Sequence, residues 1–286
     1  MPLKEFIASI ASDDPIAAFR GGLIGEGMMI PGCNGDVPLV YADYVASGRA
    51  LRQVEDFITA KVLPFYANSH TEASFCGGYI TRLREQARAE IARITAANDD
   101  CAVIFTGAGA TAGLNRLVTL LGVDVAENPV VLIGPYEHHS NILPWRESRA
   151  KVVEIPEHAT GGPDLAALER ALKDHAKADL LIGSFSAASN VTGIITDPDP
   201  VSRLLKQYGA LSVWDYAAGG PYLPFDMNSG TETEKDAVVV SPHKFAGGPA
   251  ASGVLILRKG AVHRDVPSWP GGGTVRFVSP WNHDYA

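Results

Sequence analysis

From residue 101 to residue 259 the sequence repeats one pattern: an apolar run of strand length, a turn, and then a stretch whose apolar residues return at helical spacing. The runs at 101–106, 130–134, 179–185, 211–214, 238–240 and 253–259 read as strands. Between them, residues 112–121, the segment after Asp164 that carries Leu165, Leu168 and Leu172, and residues 199–208, closed by Gly209, read as helices. Strands that alternate with helices imply an α/β fold: a mainly parallel sheet covered by helices on both faces. In such a sheet, ligands bind at the carboxyl ends of the strands. Polar residues of this chain gather at those ends.

At the first of them, Gly107-Ala108-Gly109-Ala110-Thr111 precedes a helix. The free amides of a first helical turn converge with the positive end of the helix dipole, and small residues let an anion approach, so this turn reads as an anion site. Glycine turns also open dinucleotide folds, although the spacing here departs from the dinucleotide fingerprint. Residues 130–134 end in Pro135-Tyr136-Glu137-His138-His139-Ser140-Asn141. An imidazole can exchange protons near neutrality, and His138 reads equally as a plain loop histidine. Asp215 ends the run 211–214, where a carboxylate is also a common cap. The run 238–240 ends in Ser241-Pro242-His243-Lys244, a buried strand that delivers a lysine to the sheet edge. Flanked by small residues, that amine can be desolvated and lose its proton, as a Schiff base with an aldehyde requires. A solvated strand-end lysine is the alternative.

Ser241-Pro242-His243-Lys244 followed by Gly247-Gly248-Pro249 resembles the lysine segment of fold-type I pyridoxal phosphate enzymes, specifically the class V aminotransferases and cysteine desulfurases. Further segments resemble that family in the same order, from about residue 41 to residue 274. The resemblance implies pyridoxal 5′-phosphate as cofactor, bound as a Schiff base to Lys244, with Ser241 and His243 beside it. It implies that the amides of Ala110 and Thr111 and the Thr111 hydroxyl hold the phosphate. His138 would stack on the pyridine ring, Asp215 would keep the ring nitrogen protonated, and Asn190, in Ser189-Asn190-Val191-Thr192-Gly193, would reach the phenolic oxygen. Lys244, His138 and Asp215 are the catalytic residues implied. Ala46, in Asp43-Tyr44-Val45-Ala46-Ser47, and His70, in a polar loop, would lie near an amino acid substrate. Gly271-Gly272-Gly273-Thr274 resembles a segment that reaches the other subunit's cofactor, so a homodimer is expected.

The chemistry implied is that of a cysteine desulfurase or selenocysteine lyase. The alternatives are a class V aminotransferase acting on another amino acid, and a catalytically inactive cofactor-binding subunit. One departure bears on the choice. Cysteine desulfurases carry Asp-x-Ala-Gln where this chain has Asp215-Tyr216-Ala217-Ala218, so a glutamine is missing. None of Cys33, Cys76 and Cys101 stands where the family carries its persulfide, and the expectation for them is burial as small hydrophobes. The family also has a smaller C-terminal domain that supplies a carboxylate-gripping arginine. The expectation is therefore an N-terminal helical arm, residues 1–40, and a cofactor-binding large domain, residues 41–286, without the small domain and unable to complete turnover.

Composition narrows the partners. The formal charge of −8 is spread along the chain with no basic block, which argues against nucleic acid and an anionic membrane. An odd number of cysteines without metal spacing, and no apolar leader, point to the cytoplasm and to no metal. Apolar residues make up 46% of the chain, ample for a buried core.

Overall fold

The computed structural model describes residues 2–69 and 72–286. They form two compact units, one of residues 2–69 and 72–91 with 242–251, the other of residues 92–241 with 252–286.

The second unit is built on a sheet. Its strands are β3 (Cys101–Gly107), β4 (Pro129–Ile133), β5 (Lys151–Glu154), β6 (Leu180–Ser186), β7 (Leu211–Asp215), β8 (Ala237–Val240) and β9 (Gly253–Arg258), while β1 (Met29–Gly32) and β2 (Gly35–Pro38) belong to the first unit. They lie in the order β3-β9-β8-β7-β6-β4-β5. Only β9 runs against its neighbours; β5, β4, β6, β7 and β8 are mutually parallel. The sheet is thus mainly parallel, as the alternation of strands and helices implies. Strands β4, β7 and β8 are buried almost throughout, because helices cover both faces.

Successive side chains of a strand point to opposite faces, and each face has its own cover. Val131, Ile133, Ile182, Val213, Val239 and Leu255 pack with Ala110, Leu114 and Leu117 of α5 (Gly109–Leu120), and with Trp145 of the short α6 (Leu143–Arg146). On the opposite face Gly183 lies against Leu205, and Trp214 Nε1 donates to Ser202 Oγ at 2.9 Å. Both partners belong to α8 (Pro198–Gln207). Burying each such large side chain contributes roughly 1.5–3 kcal/mol over leaving it exposed. Helix α7 (Leu165–Asp174) is capped as its sequence indicates, Asp164 Oδ1 accepting the amides of Ala166 and Ala167 at 2.8 and 3.0 Å.

Helix α5 and strand β5 differ from the sequence reading. Helix α5 begins at Gly109 rather than at residue 112, because Gly107 and Gly109 both take positive φ (93° and 60°) and shorten the turn. Strand β5 has only two apolar residues, Val152 and Val153, and an exposed edge, too short a signal to read. The unit also carries a small hairpin, β10 (Val275–Val278) and β11 (His283–Tyr285).

The first unit contains α1 (Pro2–Ile10), α2 (Pro15–Gly22), α3 (Arg52–Phe57) and most of α4 (Phe75–Ile94). Within the stretch read as a helical arm, residues 1–40, β1 (Met29–Gly32) and β2 (Gly35–Pro38) pair as a hairpin. On α4, Ile80 is buried and Ile94 is exposed. The cysteines correct an expectation. Cys33, at the hairpin turn, is exposed, and Cys76, in the first turn of α4, and Cys101, which opens β3, are only partly covered. Among the described residues, no helix is long and apolar enough to cross a membrane, and no cluster of His, Cys, Asp and Glu suits a metal ion.

Candidate functional site

In the sheet unit, β3 leads through Gly107 into α5, whose N-cap residue, Ala108, supplies no side-chain cap. Its Ala110 amide donates to Ser241 Oγ at 2.9 Å. Ala110, expected at the cofactor's phosphate, and Ser241, expected beside the cofactor at the lysine segment, are therefore in contact, Ser241 standing one residue beyond β8. The approach is close: a Cβ on Gly253, which opens β9, would strike the carbonyl oxygen of Gly109. Thr111 Oγ1 lies 2.7 Å from Ser140 Oγ, and these two hydroxyls line a shallow pocket with Asn115, His139 and Glu147.

Ser140 connects this turn to His138. The His138 ring caps a short 3₁₀ turn (His139–Asn141), its Nδ1 accepting the Ser140 amide at 3.1 Å with Ser140 Oγ at 3.0 Å. A nitrogen that accepts a backbone N–H carries no proton, so the neutral ring has its hydrogen on Nε2. His138 itself is exposed.

Asp215 ends β7 and is 4% exposed. Its Oδ1 accepts the Ala217 amide at 2.8 Å, and its carbonyl accepts the Ala187 amide at 3.0 Å. A buried carboxylate at the carboxyl end of a central parallel strand stands where such sheets bind ligands. Ala218, in the turn that follows, offers no polar side chain. Asn190 sits in the turn after β6, which Ser189 organises by accepting the amides of Val191 and Thr192 on its hydroxyl. Thr274 bonds within its own loop, Oγ1 donating to the Gly271 carbonyl at 2.8 Å.

Sequence reasoning passed over Glu137. Its carboxyl accepts the Ser186 amide on Oε1 at 2.8 Å, and the Ser186 hydroxyl on Oε2 at 2.7 Å, while Asn141 Nδ2 also donates to Oε2. The residue keeps some exposed surface, but its carboxyl is enclosed by these groups. Burial pushes its pKa up to about 7; the donors from Ser186 and Asn141 oppose the rise, and the nearby Asp215 adds to it. The signal was present in the sequence: a carboxylate immediately before His138, and a serine at the end of a buried strand.

Lys244 belongs to the other unit and closes a 3₁₀ turn, Pro242–Lys244, half-buried. Its segment is held by backbone. The Gly48 amide donates to the His243 carbonyl at 2.8 Å, and the Gly247 amide to the Arg49 carbonyl at 2.8 Å. Gly48 is required by contact, since a Cβ there would run into the Phe245 carbonyl and lie 3.1 Å from the Lys244 carbonyl carbon. Burial lowers the His243 pKa, and the charge of Lys244 lowers it further. Ala46 lies in the preceding turn, its amide donating to the Asp43 carbonyl at 3.2 Å. His70 lies outside the described residues.

Comparison with known proteins adds four findings. The family model described as aminotransferase class-V matches residues 40–286. A probable cysteine desulfurase of Vibrio cholerae serotype O1 is 32% identical over 241 residues, which cover 82% of this chain and 57% of that protein. One from Halalkalibacterium halodurans is 28% identical over 246 residues, covering 84% and 58%. Among solved structures, an apo cysteine desulfurase from Thermococcus onnurineus NA1 superimposes with a TM-score of 0.73 at 23% identity, covering 87% of this chain and 60% of that one. The chain thus spans under two thirds of the length of these relatives.

Proposed function

The chain belongs to the aminotransferase class-V family, and from that membership we propose that it binds pyridoxal 5′-phosphate and acts on an amino acid in the manner of a cysteine desulfurase or selenocysteine lyase. One observation carries the reading: the buried Asp215 at the end of β7 shares a unit with the start of α5, where Ala110 and Ser241 already pair.

The residues present fit the cofactor. A phosphate would accept from the first amides of α5 and from the Thr111 hydroxyl, and the Ser241 hydroxyl, now an acceptor for Ala110, can rotate to donate. Asp215 would hold a proton on the ring nitrogen, and its burial strengthens that pairing by excluding water. His138 would stack on the ring as a neutral imidazole with its hydrogen on Nε2, and Asn190 would donate to the phenolic oxygen. The Lys244 amine would anchor the aldehyde, with His243 beside it, and once displaced it would move a proton at the substrate's α-carbon. Ala46 and His70 would lie near the substrate. When bound, the cofactor supplies an electron sink for negative charge at that carbon. We further propose a homodimer in which Thr274 of one chain completes the partner's phosphate site.

The test is reconstitution of the full-length protein with the cofactor, then borohydride reduction and peptide mapping. A reduced adduct on Lys244, lost in Lys244→Ala, is expected; an adduct on another lysine would refute the assignment. Ala218 favours a second reading, transamination, and product analysis separates them: sulfide or selenide with alanine from one, a keto acid from the other.

A further inference from the structure

Glu137 is held by three donors, of which two cannot reverse. The Ser186 amide can only donate. Asn141 must present its NH₂ to Glu137, because its Oδ1 is taken by Trp145 Nε1 at 3.1 Å and Ser184 Oγ at 2.6 Å. The Ser186 hydroxyl can turn. It donates to Oε2 when the carboxyl is ionised; when Glu137 is protonated it accepts from Oε2–H, and Asn141 keeps the remaining lone pair. Both states are satisfied. An amide in place of the carboxyl is not, since its NH₂ would face one of the two fixed donors.

These bonds join two parts of the site. Glu137 immediately precedes His138, and Ser186 is the register partner of Asp215 across β6 and β7. Room for the carboxyl is built in, because a Cβ on Gly134 would lie 2.6 Å from Oε1. Asn141 and Trp145 are fully buried, so the anchor is rigid.

We propose that Glu137 is a positioning residue: it fastens the turn that carries His138 to the rung of the sheet that carries Asp215, so that the two keep a common frame. The inference deepens the cofactor reading, and rests on it for what that frame holds.

The test compares the full-length wild type with Glu137→Gln and with Ser186→Ala, which removes one of the three donors. Without cofactor, ¹⁵N shifts of the His138 imidazole should report Nδ1 as an acceptor in the wild type. They should move toward the averaged values of a solvated histidine in Glu137→Gln, and less far in the same direction in Ser186→Ala. With pyridoxal phosphate, Glu137→Gln should bind at least about fivefold more weakly, with an altered absorbance of the bound form. If both variants melt earlier but leave the His138 shifts and the bound spectrum unchanged, Glu137 is structural only and the proposal is overturned. A wild type that takes up no cofactor would sink the cofactor reading, while the imidazole shifts still decide the positioning role. If Glu137→Gln does not fold, Ser186→Ala decides it.

Discussion

Replacing Glu137 by Gln should change how the stability of the protein depends on pH. The ordinary glutamate value of 4.5 is raised to about 7 in the folded chain, chiefly by burial. Between those values the folded state binds a proton that the unfolded state has released, so stability falls as pH rises. The contribution is fully present below about pH 4.5 and is lost by the time the pH passes 7. A shift of this size corresponds to about 3 kcal/mol in all, most of it between pH 5 and pH 8. Partial solvent contact of the residue makes that an upper value. Gln does not titrate, and it sets its NH₂ against a fixed donor, which costs about 1–3 kcal/mol. The wild type should therefore be the more stable at pH 5, and the gap should narrow by up to about 3 kcal/mol at pH 8. Urea unfolding followed by tryptophan fluorescence measures this, and effects of other titrating groups cancel in the wild-type minus variant difference. A difference independent of pH would show that the Glu137 carboxyl titrates normally, and would refute the burial argument.

Three further outcomes are expected. Gly48→Ala places a methyl on the Phe245 carbonyl and should free the 242–251 segment, read as faster limited proteolysis there; an unchanged digest would count against the contact. Leu117→Ala removes a fully buried side chain from the face covered by α5 and should cost about 2–5 kcal/mol in denaturant unfolding, whereas a cost near zero would mean that the core is not packed as described. In the full-length protein, Asp215→Ala should lower turnover by roughly 100-fold or more while weakening cofactor binding far less; unchanged turnover would remove Asp215 from the site.

The chain by itself determined the architecture and where polar groups gather on it. Apolar runs of strand length cannot be left in water, and their alternation with helical stretches permits little besides a mainly parallel, doubly covered sheet. Strand ends are local in sequence, so the positions of Asp215, His138 and the α5 turn were legible beside the runs that carry them. What only the tertiary structure decided are pairings between residues distant in sequence. That the Ala110 amide meets Ser241, that Ser140 bridges Thr111 and His138, and that Gly48 backs the Lys244 segment all depend on crossings the sequence does not spell out. Glu137 shows the reason most plainly. A lone carboxylate in a loop reads as solvated, and its perturbed protonation arises only when folding brings Ser186, Asn141 and Asp215 around it and takes the water away.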